Sequence, residues 1–419
     1  MPDMNATLFH ADHVFPGDAP PIVGGGVLVA SRGHAQPEGT VLDVGQATEL
    51  EARHATATVH RIRGILLPGL VNAHTHLELS ALRDKIPGGR GFVPWVQSLL
   101  ATRDIVLPED DTNAIDTAAR ELAAFGTVAV GDVTNSLAAV SALARHNIGG
   151  SVFHEVFGQD RDEVLGRVAR LDEARQRKLP SWPSRDLAYA PAPHTLYMTH
   201  PDAIRALLKG ARSLGARTSL HLAEHGAERR AVENDDGPVP EWLAALMGHA
   251  AEFPKKPLFD FANQLEAIAA DVLLVHMTDA RPDELQRVAA AKAPIVLCPR
   301  SNLHIEGRLP PFLSIREVGI NAALGTDSLA SCPSLDVLAE AKALAENFPS
   351  VPAWQLVSMA TYNGARALGR GDLGRFAKGT RPGVIHVEAD VTGDPASYLL
   401  GHLHLARRML VPRMPSRLP

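Results

Sequence analysis

At 419 residues and 45% hydrophobic content, the chain is too long for one small core and suits a large domain of roughly 250–300 residues with a smaller one attached. A formal net charge of −6, with both signs scattered and no basic tract, argues against electrostatic binding to nucleic acid and leaves small-molecule partners open. Two cysteines, Cys298 and Cys332, cannot build a disulfide framework; with no 18-residue apolar run and no basic-then-apolar leader, a cytoplasmic protein without a membrane partner is expected.

The first 65 or so residues are rich in Val, Gly and Thr, as in "GGGVLVA" and "ATATVHRIRG", and predict short strands with little helix. From Gly69 the text changes to short apolar runs separated by long helical stretches. The runs, in order, are "GLVNAHTH", "GTVAVGDVT", "GSVFHEVF", "DLAYAPAP", "RTSLHLAE", "DVLLVHM", "PIVLCP" and "INAALGTDS". Between them, "TNAIDTAARELAAF", "DEVLGRVARLDEARQR" and "HPDAIRALLKGARSLG" repeat apolar residues at three- and four-residue spacing, the period of amphipathic helices. Eight buried strands alternating with helices predict an α/β fold, a (β/α)8 TIM barrel over residues 66–369. Strand-like text returns in "GVIHVEADV". Pairing it with the N-terminal strands would make one small β domain from residues 1–65 and 370–419. The stretch "NDDGPVPEWLAALMGHAAEFPKKPLFDF", between the fifth and sixth strands, is long for a connection and either covers a site or decorates the surface.

Buried parallel strands are apolar, so polar residues at their C-terminal ends need a reason. His74 and His76 end the first strand, on one face because side chains alternate. His194 follows the fourth, His221 and Glu224 end the fifth, His276 the sixth and Asp327 the eighth. In a barrel these ends share one mouth, where such folds keep their sites. Other histidines have plainer readings: His154 as barrel lining, His200 as a helix start, His225 as a neighbour of the site, His402 and His404 as ordinary strand or surface.

Three neutral imidazoles and a carboxylate (His74, His76, His221, Asp327) suit one divalent ion, Zn²⁺ first and Fe²⁺ or Mn²⁺ as alternatives, with room for a water. Such an ion brings its water to a pKa of about 7. Glu224 could take that water's proton and return it as general acid, and His276 could orient the water. Other hydrolytic signatures fail: there is no C-x-x-C to accompany "HLE", no H-E-x-x-H, no G-x-S-x-G and no complete Rossmann fingerprint.

Taken together, "PGLVNAHTHLE", "HLAE", the sixth-strand histidine and "LGTDS" resemble the amidohydrolase superfamily, in its mononuclear deaminase and chlorohydrolase branch. The likeness runs nearly the whole chain. It implies a distorted (β/α)8 barrel with a small β-sandwich built from both termini, and a homodimer. It also implies a single metal, since the fourth strand ends in "YAPAPH" without the lysine that dinuclear members carboxylate. Ligand roles map onto His74, His76, His221 and Asp327, the proton shuttle onto Glu224, and the water-orienting histidine onto His276. By the same resemblance His194 would contact a purine ring.

"GTDSLAS" with "HTHLELSAL" resembles the members that deaminate 6-amino-6-deoxyfutalosine on the route to menaquinone. That substrate is an adenine nucleoside with a benzoate-bearing arm. The resemblance then implies Glu78 for the ribose hydroxyls, Ser328 for substrate, and an apolar shelf with a cation for the benzoate. Arg90 and Trp95 are the candidates there, from a segment that also holds Arg83, Lys85 and Phe92. Alternative substrates are adenosine, S-adenosylhomocysteine, guanine or a chlorinated triazine; a non-catalytic scaffold is a further alternative. Cys332 stands where the resemblance expects Asn, and "GTRPGVIHVEAD" departs from the family's usual G-x-x-A-D strand.

Overall fold

The computed structural model describes residues 5–106 and 108–413. Residues 1–4 and 414–419 of the expected terminal domain lie outside that range. Five strands open the chain: β1 (Ala6–Val14), β2 (Ile22–Val23), β3 (Gly25–Ala30), β4 (Val41–Gln46) and β5 (Thr58–Pro68). Eight follow: β6 (Leu70–Thr75), β7 (Thr127–Thr134), β8 (Gly149–Val156), β9 (Leu187–Pro193), β10 (Thr218–Leu222), β11 (Val272–His276), β12 (Ile295–Leu297) and β13 (Ala323–Leu324). The last two are β14 (Val384–Val387) and β15 (Arg407–Val411).

Both ends of the chain build one seven-stranded sheet in the order β15-β14-β5-β1-β3-β4, with β2 paired to β1. β14 runs antiparallel to the end of β5, so the returning strand lies beside the N-terminal ones. The alternation in β1 slips at a bulge between Ala11 and His13, where a strand parallel to β5 must shift register. One short helix, Ala47–Arg53, appears where strands alone were expected; it buries Ala47 and Leu50 against that sheet.

The remaining eight strands form two four-stranded sheets, β6-β7-β8-β9 and β10-β11-β12-β13, all neighbours parallel. β6, β7 and β8 are buried along their whole length, as parallel strands covered on both faces must be. The two sheets meet along both edges. On one side the Asn72 carboxamide donates to Thr326 Oγ1 (2.7 Å) and accepts from Thr326 N (3.1 Å), and Thr75 bridges Asp327 in parallel. On the other, His221 N donates to His194 O (3.0 Å) and Thr218 Oγ1 to Pro191 O (2.7 Å). The fold is therefore mixed α/β with parallel sheets.

Two local expectations change. The helix expected over 162–177 is two, Arg161–Ala169 and Leu171–Lys178. The second buries no residue, because beyond Leu171 the sequence "DEARQRK" has no apolar stripe to hold it in line with the first. His402 and His404 lie in no strand but in a turn after the helix Pro395–Gly401, with the His402 ring stacked on Tyr398 at 4.1 Å. Among the described residues, no helix is long and apolar enough to cross a membrane.

The approach of β13 to β6 leaves no room for a side chain at Gly325: a Cβ there would stand 2.6 Å from His74 Cβ and 2.8 Å from its carbonyl oxygen. Gly325→Ala is expected to destabilise the fold by roughly 1–3 kcal/mol through overpacking. Because the atom that must yield is in His74, it is expected to lower bound metal as well; urea unfolding and metal analysis of the same preparation check both.

Candidate active site

β6 sends His74 and His76 to one side, and the end of β13 is stitched directly against them. Thr326 N (3.0 Å) and Asp327 N (3.1 Å) both donate to His74 O, and His76 N donates to Asp327 O (3.1 Å). Asp327 sits at φ 59, a left-handed conformation that an aspartate tolerates better than most residues. Its Oδ2 accepts from Ser301 Oγ (2.5 Å) and Ser331 Oγ (2.9 Å). Oδ1 is left facing His74 Nε2 at 3.8 Å and His76 Nε2 at 3.6 Å.

His221 enters from β10. Its Nδ1 lies 3.1 Å from His194 O, and a carbonyl only accepts, so Nδ1 carries the proton and Nε2 is a free lone pair. That lone pair is 3.3 Å from His76 Nε2. Ligand atoms of His74, His76 and His221 lie within 4.8 Å of one another. His74 is wholly buried and neither of its ring nitrogens has a hydrogen-bond partner. An orphaned imidazole is costly in a protein interior unless something else takes its lone pair.

The charges are set to match. Burial, then the neighbouring His194 and His74, hold His221 well below the usual imidazole range; burial and His74 lower His76. Burial pushes Asp327 up, but the facing imidazoles of His74, His76 and His276 outweigh it and hold the carboxyl well below the usual range. Three neutral nitrogens and one anionic oxygen converge, a donor set that fits a divalent ion of the zinc type.

Beside this cluster, Ala223 at φ 51 turns the chain after β10, and His276 at φ 75 does the same at the end of β11. Glu224 Oε1 comes to 3.5 Å from His276 Nε2. Asn302 Nδ2 lies 3.2 Å from His276 Nδ1, so the amide donates there and the His276 proton sits on Nε2, toward Glu224. Burial lowers His276 to about 3, against the raising effect of Asp327, which keeps it neutral. Burial, followed by Asp327 and Glu228, raises Glu224 well above the usual carboxyl range. Glu228, itself raised to about 8 by burial, accepts the Glu224 backbone N–H at 2.9 Å and fixes the turn from below.

These residues open on a cleft of about 720 Å³, counted with its open mouth. His194 lines it, its Nδ1 2.6 Å from Glu155 Oε1. Glu78 lines it too, from the turn after β6; its Oε2 takes hydrogen bonds from Thr134 Oγ1, Ser136 N and Ser136 Oγ, while Oε1 accepts the Asn135 N–H. Phe92 and Trp95 line it from the helix Phe92–Arg103. Arg90 does not: it is exposed, in the turn between Gly89 and Gly91 that is pinned to His304 and Ile305. Ser328 is wholly buried behind Asp327 and meets Ser331, not the cleft. Arg83 pairs with Glu121 at 2.5 Å. Cys332 is buried and donates to Thr326 O (2.9 Å), behind the same turn.

Several residues escaped the sequence reading. Ser301 and Asn302, which hold Asp327 and His276, open the helix Pro299–Glu306 after β12; Arg300, anchored on Glu340 (2.6 Å), fixes that helix start. Glu155 sits next to His154, which faces Tyr189 instead (3.0 Å). Arg103 lines the cleft eleven residues beyond Phe92. His200 and His225 accept from Asp202 N and Glu228 N as helix caps, and His225 stacks on Phe92 at 4.1 Å.

Residues 65–399 match the model of the amidohydrolase family. The chain is 30% identical over 364 residues to aminodeoxyfutalosine deaminase of Deinococcus radiodurans, covering 82% of this chain and 84% of that one. Its fold superposes on Helicobacter pylori aminofutalosine deaminase, solved in complex with methylthio-coformycin, with a TM-score of 0.86 at 22% identity, over 98% of this chain and 100% of that one. A Xanthomonas campestris adenosine deaminase with bound zinc gives 0.74 at 23% identity, over 99% and 94%.

Proposed function

The chain belongs to the amidohydrolase family and is a hydrolase of carbon–nitrogen bonds, and we propose that it deaminates an adenine nucleoside, 6-amino-6-deoxyfutalosine in menaquinone synthesis. The observation that carries the reading is the buried Glu224 carboxyl beside the three clustered imidazoles and Asp327, at the base of a cleft. In this reading β6–β13 are the eight strands of one distorted (β/α)8 barrel spanning 66–369. The seven-stranded sheet is the small β-sandwich domain of 1–65 and 370–419. The protein works in the cytoplasm, as a homodimer, on a small molecule and neither nucleic acid nor membrane.

His74, His76, His221 and Asp327 would hold the metal, Zn²⁺ by donor type. Bound there, it supplies Lewis acidity and a water nucleophile at neutral pH. The rest falls to side chains. Glu224 takes the proton of the attacking water and passes it to the purine ring nitrogen as oxygen bonds to C6. It then moves the remaining proton, from the hydroxyl now on C6, to the amine; the C6–N bond breaks, ammonia leaves and C6 becomes a carbonyl. Burial lifts its carboxyl above the ordinary range, so it holds a proton more readily than an exposed glutamate, as the acid half of this duty requires. His276, held by Asn302, directs its Nε2–H at the water and keeps it on the line of attack. Ser301 and Ser331 hold Asp327 in place. His194, its Nδ1 committed to Glu155, turns Nε2 toward the base, and Glu78 Oε1 keeps a lone pair for a ribose hydroxyl.

A second reading, deamination of adenosine itself, is supported by the likeness to the zinc-bound adenosine deaminase. Ammonia release across 6-amino-6-deoxyfutalosine, adenosine, S-adenosylhomocysteine and guanine separates the two. The first is expected to give the largest kcat/KM; adenosine ahead of it would replace the proposal with the second reading.

A further inference from the structure

The cleft has one long wall. Phe92, Trp95, Val96, Leu99, Leu100 and Arg103 all line it, and they are residues i, i+3, i+4, i+7, i+8 and i+11 of a single helix. That spacing is one continuous helical face. Five of the six are apolar, and at about 1.5 Å per residue the stripe runs roughly 16 Å before it ends in a guanidinium. The base of the cleft, by contrast, is polar: His194, Glu155, Glu224 and the histidine cluster. A ligand that fills the whole cleft therefore carries a polar ring at one end, an apolar body, and an anion at the other.

Two details say that this wall awaits a ligand. Trp95 is 8% exposed and its indole Nε1 has no hydrogen-bond partner, a donor left orphaned on the lining of a cleft. Arg103 is half-exposed; its Nη2 lies 3.9 Å from Glu78 Oε1, and Asp111 also feels its charge. Glu78 takes its hydrogen bonds from Thr134, Asn135 and Ser136 and none from Arg103, so it orients the guanidinium without consuming its donors. Arg83, Lys85 and Arg90, nearer in sequence to the first metal strand, do not line the cleft.

We infer that Arg103 is the carboxylate anchor of the substrate and that the Phe92–Leu100 face is the shelf for its aromatic arm. The inference rests on the proposed nucleoside reading and adds the residue that selects the arm. A neighbouring apolar groove, formed by Phe157, Met198, Leu243 and Leu246 with Arg167 on its rim, is the competing exit. There the guanidinium is already engaged: Arg167 Nη1 donates to Phe157 O at 2.9 Å.

The test is a cycle between protein and substrate. kcat/KM is measured for the benzoate-bearing nucleoside and for its methyl ester, with the wild type, Arg103→Gln, Arg103→Lys and Arg167→Gln. The wild type is expected to prefer the acid by roughly ten- to a hundredfold, the range of a charge-assisted hydrogen bond, chiefly through KM. In Arg103→Gln the preference is expected to fall toward one, Arg103→Lys to recover part of it, and Arg167→Gln to keep it. Preference retained in Arg103→Gln removes the anchor while the nucleoside reading stands. Preference lost in Arg167→Gln and kept in Arg103→Gln moves the arm to the other groove. No preference in the wild type removes a carboxylate anchor in either groove, while no turnover of acid or ester removes the nucleoside reading itself.

Discussion

Replacing Glu224 with Gln is expected to lower kcat by roughly 10²–10⁴-fold, the span that a positioned acid–base group contributes, while the bound metal stays near one per chain. The amide is isosteric with the carboxylic acid and keeps the turn after β10, which is held from its backbone by Glu228 (2.9 Å) and not by the side chain. What it removes is the ability to accept a proton from water and give it up again. KM is expected to change little, because the carboxyl does its work after the substrate is seated. The alternative is that Glu224 only helps hold the ion. Its Oε1 is 3.5 Å from Nε2 of His276, an imidazole outside the His74–His76–His221 set. A variant that loses metal in proportion to activity would favour that alternative; one that releases ammonia at near the wild-type rate would falsify the proton route altogether.

The residues that converge here were legible for a simple physical reason. A buried parallel strand has no use for imidazole or carboxylate at its end unless the side chain meets something. His74, on β6, and His76, one residue past its end, share a parity, and His221, His276 and Asp327 each close an apolar run. The helpers were less legible. Ser301 and Asn302 follow β12 as a polar stretch opening a helix, which thousands of surface helices also have; only the contact to Asp327 and His276 distinguishes them. Glu155 was hidden by its neighbour. On β8 the two alternate, so His154 turns to Tyr189 and Glu155 turns to His194, and parity with the strand's other residues carries that distinction.

Arg90, close in sequence to His74 and His76, lies in an exposed turn off the cleft. The helical period of "FVPWVQSLLATR" instead carries the cleft-facing stripe on to Arg103. The eight strands stand where the apolar runs are, yet how strands of six residues at β6 and two at β13 join is a matter of side-chain pairing. The reciprocal Asn72–Thr326 contact that does it spans 254 residues, and no local pattern announces it.

The second large effect is expected from His221→Ala. This change removes one of three nitrogens whose ligand atoms lie within 4.8 Å, together with the imidazole that locks to His194 O. Metal content is expected to fall well below one per chain and activity to background, where Glu224→Gln keeps its metal. A readout independent of turnover exists, because an ion that binds the folded chain and not the unfolded one must stabilise it. At a free concentration a hundredfold above its Kd, the gain is about 2.7 kcal/mol. Chelated wild-type protein is therefore expected to melt several degrees lower and to recover on adding Zn²⁺, whereas His221→Ala is expected to show little response to the same addition. The direction follows from the burial of His74 and Asp327. Without an ion, a wholly buried imidazole keeps two unpaired nitrogens and an anionic carboxylate faces two neutral rings, both unfavourable in a dry interior. If the wild-type melting temperature does not move with chelator or Zn²⁺, the four side chains are a packed polar cluster, and the hydrolytic chemistry assigned to them loses its nucleophile.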